Sequence, residues 1–292
     1  MAPRRQSSRI SDAALQQSKG IWKAIWAKQS FLCVGLDPDP AKIPFVFGEG
    51  VQAMESFCHA MVQATLPYAI AFKPNLAFFE QYGSEGWAAL ERVIDGIPAD
   101  VLVIADAKRG DIGNTAGLYA DGLFNGLGAD AATVAPYMGR DSVEPFTAFE
   151  NKWTILLALT SNPGADDFEF HGEVPLFHQV LKSSQSFEGA ERLMYVVGAT
   201  RPERLKEVRE LVPDSFLLVP GVGAQGGRVE DVAKYGFNDQ CGLLINSSRG
   251  ILYAASQSSN EEEVLAASTS AAASLAAEMA RILQDRFPNG PE

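Results

Sequence analysis

The sequence predicts a single (β/α)₈ TIM barrel of the α/β class, and two observations carry this prediction. Eight short apolar runs suited to buried parallel strands alternate with segments of helical periodicity. The chain has 292 residues, a size at which α/β barrels form one undivided domain. The nearest rival is an open doubly wound sheet. It favours a Gly-x-Gly-x-x-Gly turn after the first strand, whereas residues 35–40 read Gly-Leu-Asp-Pro-Asp-Pro.

The elements follow from these runs in chain order. The predicted strands are 31–36, 69–72, 101–105, 131–134, 154–159, 194–197, 216–219 and 242–245. The clearest helical patterns between them are 54–66, 86–95, 114–124, 203–211 and 228–235.

Two segments exceed a minimal barrel. Residues 161–189 follow the fifth predicted strand and would lie at the catalytic mouth, as a lid or an added helix. Residues 260–287 begin with a candidate Asn260 cap and three glutamates, then become rich in alanine and leucine, which predicts a closing helix. Residues 1–10 are basic and lack the apolar centre of a secretory signal. We therefore expect a disordered tail over 1–10 and a single barrel domain over 11–292.

Composition limits the classes of partner. The net charge of −12 disfavours binding to nucleic acid or to an anionic membrane. No apolar run approaches the roughly 20 residues that span a bilayer, so we expect a soluble protein. Cys33, Cys58 and Cys241 match neither a disulfide framework nor metal-ligand spacing. A reducing compartment such as the cytoplasm fits them, with Cys33 and Cys241 as buried thiols in apolar strands.

Two carboxylates bracket a lysine at the end of the third predicted strand. Residues 104–112 read Ile-Ala-Asp-Ala-Lys-Arg-Gly-Asp-Ile. Because strand side chains alternate with a period of two, we expect Asp106 and Lys108 to reach one cavity. A lysine held charged by carboxylates can donate a proton or stabilise developing negative charge. The alternative interpretation is a surface ion-pair cluster, since charged strand ends are common.

Polar side chains follow six of the eight predicted strands, at the end where barrel enzymes build their sites. Besides the cluster after the third strand, Asp37 follows the first strand, Lys73 the second and Ser161 the fifth. Residues 220–227 follow the seventh strand and residues 246–250 the eighth. We expect these groups to meet at one mouth.

The seventh and eighth loops predict a phosphate site. Loops after these strands form the recurrent phosphate site of this fold, and Gly223, Gly226 and Gly227 would let backbone N–H groups approach an anion. Gln225 adds an amide donor and Arg249 a guanidinium suited to bidentate contact. A phosphorylated small molecule is the expected ligand. A glycine loop that only turns tightly is the alternative.

Three segments taken together resemble orotidine 5′-phosphate decarboxylase, and most of all the longer bacterial-type branch of that family. They are Phe-Lys-Pro-Asn at 72–75, Ala-Asp-Ala-Lys-Arg-Gly-Asp-Ile at 105–112 and Gly-Val-Gly-Ala-Gln-Gly-Gly at 221–227. The resemblance extends from residue 31 to residue 253. It implies conversion of orotidine 5′-monophosphate to uridine 5′-monophosphate in de novo pyrimidine biosynthesis, with no metal or organic cofactor.

The resemblance also implies a role for each matching residue. Lys108 protonates the carbon that loses carbon dioxide, and Asp106 lies beside the substrate carboxylate. Lys73 and Asp111 complete an alternating charge network, and the active sites are shared across a homodimer. The resemblance implies that Asp37 and Lys73 bind the ribose hydroxyls, together with Thr115 of the partner subunit. It implies that Ser161 contacts the pyrimidine amide. It also implies that Gln225 and Arg249 bind the phosphate.

Three other functions stay open at this point. A magnesium-dependent 3-keto-gulonate-phosphate decarboxylase or a hexulose-phosphate synthase relative would need a carboxylate near the end of the second strand, where this chain has Lys73. An isomerase barrel of the phosphoribosyl or triose-phosphate type would use a glutamate base in a matching loop, and we find none. A non-catalytic phosphate-binding protein would not need Asp106, Lys108 and Asp111 intact.

Overall fold

Eight parallel strands close into a barrel in sequence order, and the last strand pairs with the first. This is seen in a computed structural model that describes residues 12–222, 226–255, 258 and 260–291. The strands are β1 (Leu32–Leu36), β2 (Ala69–Pro74), β3 (Leu102–Arg109), β4 (Ala131–Val134), β5 (Trp153–Leu159), β6 (Leu193–Val197), β7 (Leu217–Pro220) and β8 (Leu243–Ser247). The predicted (β/α)₈ barrel is confirmed. The tail expected over 1–10 lies outside the described residues.

Helices surround the barrel and follow its strands. They are α1 (Ser18–Lys28), α2 (Gly50–Thr65), α3 (Leu76–Glu80), α4 (Gly83–Asp95), α5 (Gly113–Asp121), α6 (Arg140–Thr147), α7 (Ala165–Phe168), α8 (Leu176–Ser184), α9 (Arg204–Leu211), α10 (Val229–Gly236), α11 (Arg249–Leu252) and α12 (Glu261–Arg286). The helix expected over 114–124 ends at Asp121 and continues as one π-helical turn, Gly122–Gly126. None of the helices in the described part of the chain is long and apolar enough to cross a membrane.

Several strands extend past their apolar runs at the carboxyl end. β2 includes Lys73 and Pro74, β3 continues to Arg109, and β8 includes Asn246 and Ser247. Backbone pairing explains the extension, because Leu36 pairs with Pro74 and Pro220 pairs with Asn246 beyond the apolar stretches. The sheet therefore holds polar side chains rigidly at the mouth, where the sequence predicts that loops begin.

The amino-terminal end of the barrel is covered by the first described residues. The Asp12 N–H donates to the Ala99 carbonyl just before β3, over 2.9 Å. The Trp153 indole at the start of β5 donates to the Leu15 carbonyl, also over 2.9 Å. Because these contacts lie at the amino end, the carboxyl end remains as the mouth at which a site can form.

The segment over 161–189 contains an added helix, one of its two expected structures. Its amphipathic helix α8 buries Phe177 and Leu181 and packs against β5 and α9. The closing helix is also present, as α12, which packs on α2 and α11. The side-chain oxygen of Asn260 accepts the Glu262 N–H over 2.9 Å, so the predicted cap is in place.

We expect the substitution Asn260→Ala to lower the free energy of unfolding by about 1 kcal/mol, because it removes the cap of α12. Urea unfolding monitored by circular dichroism measures this. Asn260→Ser keeps a capping oxygen and serves as the matched control. Equal losses in the two variants would show that capping does not explain the effect.

Candidate active site

A buried carboxylate binds two ammonium groups at the mouth of the barrel. Asp106 of β3 is 8% exposed, and its Oδ2 lies 2.5 Å from Lys73 Nζ of β2. Its Oδ1 lies 2.5 Å from Lys108 Nζ. Lys73 is buried, whereas the Lys108 side chain is 52% exposed. The structure therefore brings together three of the four predicted catalytic residues, with Lys108 facing the open side.

The backbone of β3 is irregular where it presents these groups. Ala105 pairs with Ala132 and Arg109 with Val134, so the register of β3 and β4 shifts between them. Lys108 adopts a left-handed backbone with φ of +46°, an unfavourable region for a residue with a Cβ. The expected convergence of Asp106 and Lys108 is confirmed, but a bulge produces it rather than the regular alternation of a strand.

The mutual attraction of these charges opposes their burial. Burial alone would raise the pKa of Asp106, but the Lys73 and Lys108 ammonium groups hold it well below its usual range. Burial alone would lower the pKa of Lys73, but the carboxylates of Asp106 and Asp37 hold it above its ordinary value. The two partners therefore stay ionised at neutral pH, as a preorganised array of fixed charges.

Asp37 follows β1 and has an unused acceptor beside this array. Its Oδ1 is buried and has no hydrogen-bond partner among the described residues. Its backbone is fixed by Tyr253, whose hydroxyl donates to the Asp37 carbonyl over 2.7 Å and accepts the Asp39 N–H over 2.7 Å. A buried acceptor without a protein partner is unfavourable unless a ligand or a water molecule donates to it.

Ser161 lies two residues after the end of β5 and is held by tight packing. A Cβ placed on Gly198, after β6, would come within 2.9 Å of the Ser161 Cα and Cβ atoms, so only glycine fits there. The preceding residue, Thr160, donates its backbone N–H to Glu169 Oε2 and its hydroxyl to Glu169 Oε1, each over 2.7 Å. The added segment thus anchors the loop that carries Ser161.

The predicted phosphate loop is only partly described, because Gly223 and Gln225 lie outside the described residues. Gly226 has φ of +88°, a conformation that favours glycine. The Gly227 N–H donates to the Gly221 carbonyl over 3.2 Å, and a Cβ on Gly227 would lie 2.7 Å from the Ala199 Cβ. Gly227 thus closes the loop and permits close packing.

Arg249 begins α11 after β8 and is exposed. Its side chain has no ion-pair partner within the part of the chain that the structure describes. A guanidinium in this position is available to an anionic ligand.

A family model confirms the resemblance that the motifs indicated. Residues 30–264 match the model described as "Orotidine 5'-phosphate decarboxylase / HUMPS family". This range includes the whole barrel. The chain belongs to this family.

Individual relatives agree with the family match. An orotidine 5′-phosphate decarboxylase of Christiangramia forsetii is 51% identical over 270 residues, which cover 91% of this chain and 99% of the relative. The crystal structure of a putative orotidine-monophosphate-decarboxylase from Toxoplasma gondii has a TM-score of 0.82 and 37% identity, covering 94% of this chain and all of that one. A UMP synthase of Leishmania donovani has a TM-score of 0.79 and 38% identity over 90% of this chain. The matched region covers only 55% of that synthase.

Two residues for which the decarboxylase resemblance implies roles lie outside the ion network of their own chain. Asp111 follows β3, and its Oδ1 accepts the neighbouring Ile112 N–H over 2.8 Å. Within the described residues it forms no ion pair with Lys73 or Lys108. Thr115, on α5, is exposed. A single chain therefore does not complete the alternating charge network expected of the family.

Sequence reasoning missed residues that hold the predicted ones in place. Thr133 of β4 contacts both Asp106 and Lys108, and its position in an otherwise apolar strand was the available signal. Tyr253 and Gly198 act through backbone contacts that no sequence pattern indicated. Among the described residues, no group of three or more His, Cys, Asp or Glu side chains is arranged to hold a metal ion.

We expect Asp106→Asn to lower the free energy of unfolding at neutral pH by roughly 3 kcal/mol, because it breaks a buried ion pair. The folded-state pKa of Asp106 is depressed. Its stabilisation is therefore present above the unfolded pKa of about 3.9 and is lost as the pH falls through the folded value. The stability difference between wild type and variant should stay constant between pH 7 and about 5 and narrow below about pH 4.

Urea titrations at several pH values measure this difference. Asp167→Asn, at an exposed aspartate of α7, is the control and should show little effect at any pH. If the wild type were still about 3 kcal/mol more stable than Asp106→Asn at pH 3, the charge of Asp106 would not be the source of the stabilisation.

Proposed function

We propose that this protein is a carboxy-lyase that decarboxylates orotidine 5′-monophosphate to uridine 5′-monophosphate in pyrimidine biosynthesis. The observation that carries the proposal is the Asp106 carboxylate held between Lys73 and Lys108 at the barrel mouth, in a chain of this family. The names of its relatives at about half identity support the same substrate. The three free, buried cysteines and a biosynthetic role support a cytoplasmic location.

In the proposed reaction, the bond between the pyrimidine ring and its carboxylate breaks heterolytically. The electron pair remains on the ring carbon, carbon dioxide leaves, and the Lys108 ammonium donates a proton to that carbon. Water then reprotonates the lysine. Lys108 suits this step because its side chain is half-exposed at the open side of the network while Asp106 keeps its ammonium group in place.

Binding roles are proposed for the surrounding residues. Asp37 and Lys73 would bind the ribose hydroxyls, and the unpartnered Oδ1 of Asp37 supports a donor there. Ser161 would contact the pyrimidine amide. Gln225, Arg249 and the loop at Gly226 and Gly227 would bind the phosphate. No metal or organic cofactor is proposed, and Lys73 stands where a metal-dependent relative would need a carboxylate.

Typical energies indicate whether repulsion of the substrate carboxylate or stabilisation of the transition state contributes more to the rate. An acceleration near the top of the usual range, about 10¹⁷-fold, requires roughly 23 kcal/mol. Repulsion between Asp106 and a substrate carboxylate at about 4 Å contributes only about 4 kcal/mol at an effective dielectric near 20. A fixed ammonium group where negative charge develops acts on the transition state itself. Stabilisation of the transition state by Lys108 therefore contributes more than repulsion of the substrate, and phosphate binding contributes by closing the site.

A two-fold dimer that shares its active sites is part of the proposal. Asp111 and Thr115 stand apart from the network of their own chain, and apolar side chains near them are exposed. These are Ile112, Leu118, Tyr119, Tyr137 and Met138. A surface of this kind is unusual on a monomer and suits a self-complementary interface.

Incubation with orotidine 5′-monophosphate in the presence of a chelator tests the function. Loss of the ultraviolet absorbance of the substrate, with formation of uridine 5′-monophosphate, is the expected result. An inactive protein whose activity returns with magnesium, or which acts only on sugar phosphates, would instead favour the metal-dependent members of the family. Binding of the nucleotide without turnover would indicate a non-catalytic protein.

We expect Lys108→Ala to reduce kcat by at least about 10²-fold, because it removes the proton donor. Affinity for uridine 5′-monophosphate should remain, since the phosphate site is separate. Steady-state kinetics and calorimetry measure the two quantities. Retention of more than about a tenth of the wild-type kcat would remove Lys108 from the proton-transfer role.

For Arg249→Ala, we expect kcat/KM for the phosphorylated substrate to fall by about 10-fold or more, because a charge-assisted contact is lost. The nucleoside that lacks phosphate should be converted as slowly by the variant as by the wild type. Comparison of the two substrates in both proteins provides the test. Equal losses with both substrates would make Arg249 structural.

Shared sites predict complementation between two inactive variants. Lys108→Ala and Asp111→Ala proteins are unfolded and refolded together, so that about half of the dimers are mixed. Each mixed dimer contains one intact site and one doubly defective site, and about a quarter of wild-type activity should return. If native mass spectrometry shows mixed dimers but the activity stays at the parental level, Asp111 acts within its own chain.

A further inference from the structure

We infer that Thr133 is a positioning residue for the reaction, holding Lys108 and Asp106 in their catalytic arrangement. The inference rests on the proposed decarboxylation and deepens it. It names a residue on β4 that the motifs of the family resemblance do not include. The contacts of its single hydroxyl group carry the argument.

Thr133 stands alone opposite the irregular part of β3. Between the pairs Ala105–Ala132 and Arg109–Val134, β3 contains three residues and β4 contains one. The one residue on β4 is Thr133. With three residues facing one, the regular backbone pairing of β3 with β4 is interrupted at the bulge.

The Thr133 hydroxyl replaces the missing backbone partner of Lys108. The Lys108 N–H donates to Thr133 Oγ1 over 2.9 Å. Lys108 adopts the left-handed conformation, which a side-chain-bearing residue keeps only where its surroundings fix it. The bond to Thr133 is such a constraint, and it determines the direction in which the lysine leaves the strand.

The same hydroxyl also orients the carboxylate. Thr133 Oγ1 donates to Asp106 Oδ1 over 3.1 Å, and this is the oxygen that lies 2.5 Å from Lys108 Nζ. A hydroxyl has one hydrogen to donate and lone pairs to accept, so both bonds can form at once. Thr133 is only 1% exposed, which leaves little access for water to take its place. The backbone, carboxylate and ammonium group are thus joined in one closed ring of contacts.

Three variants separate this role from ordinary packing. Thr133→Val keeps the shape and removes the hydroxyl, whereas Thr133→Ser keeps the hydroxyl. The control is Thr154→Val on β5, where an equally buried threonine has a hydroxyl without a hydrogen-bond partner among the described residues. Replacing it should leave catalysis unchanged.

We expect Thr133→Val to lower kcat by roughly 10- to 100-fold, because a small displacement of a reacting group is sufficient for such a loss. KM should change little, since the substrate contacts remain. Thr133→Ser should recover most of the lost kcat. A raised KM at unchanged kcat, or equal losses in the valine and serine variants, would overturn the inference.

Hydrogen exchange supplies a readout that does not require activity. The Lys108 amide should exchange faster in Thr133→Val than in wild type, and Thr133→Ser should restore its protection. Unchanged exchange would show that Thr133 does not hold the lysine backbone, whatever the kinetics. If wild-type protein fails to decarboxylate the substrate, the proposed function and the catalytic part of this inference fall together. If the wild type decarboxylates the substrate and Thr133→Val does so with the same kcat, the proposed function stands and only the inference about Thr133 fails.

Discussion

The arrangement of the site depends on one buried carboxylate. Asp106 binds Lys73 through one oxygen and Lys108 through the other, each at 2.5 Å. A charge taken out of water is stable only when it is paired and hydrogen-bonded, so the positions of all three groups are mutually constrained. Lys73 comes from β2 and Lys108 from β3, and the carboxylate between them fixes the position of one ammonium group relative to the other.

The barrel makes this pairing possible by holding β2, β3 and β4 side by side. β2 places Lys73 at its carboxyl end, and the bulge of β3 turns Lys108 back toward Asp106. A regular strand would not need the left-handed backbone observed at Lys108. The irregularity is located at the motif for which we propose the catalytic role, and backbone strain commonly occurs at functional sites. Stability and the proposed catalysis would therefore depend on the same few contacts.

The sequence predicted the closed barrel well, because apolar runs and helical periodicity report burial directly. It also predicted that Asp106, Lys108 and Lys73 converge, since the carboxyl ends of barrel strands meet. It did not predict the bulge, which arises from pairing with β4 and leaves no local signature. Nor did it predict Gly198 or Tyr253, whose roles depend on contacts between residues distant in the chain. The reach of Asp111 and Thr115 into a partner stays a prediction.

Carbon-13 NMR of the aspartate side-chain carboxyl groups tests the central claim most directly. The Asp106 signal can be assigned by its absence in Asp106→Asn. The account predicts that it keeps the chemical shift of an ionised carboxylate down to the pH at which the protein begins to unfold, while exposed aspartates titrate near their ordinary pKa of about 3.9. An Asp106 carboxyl that titrates with the exposed groups would contradict the account, because its charge would then not be held by the two lysines.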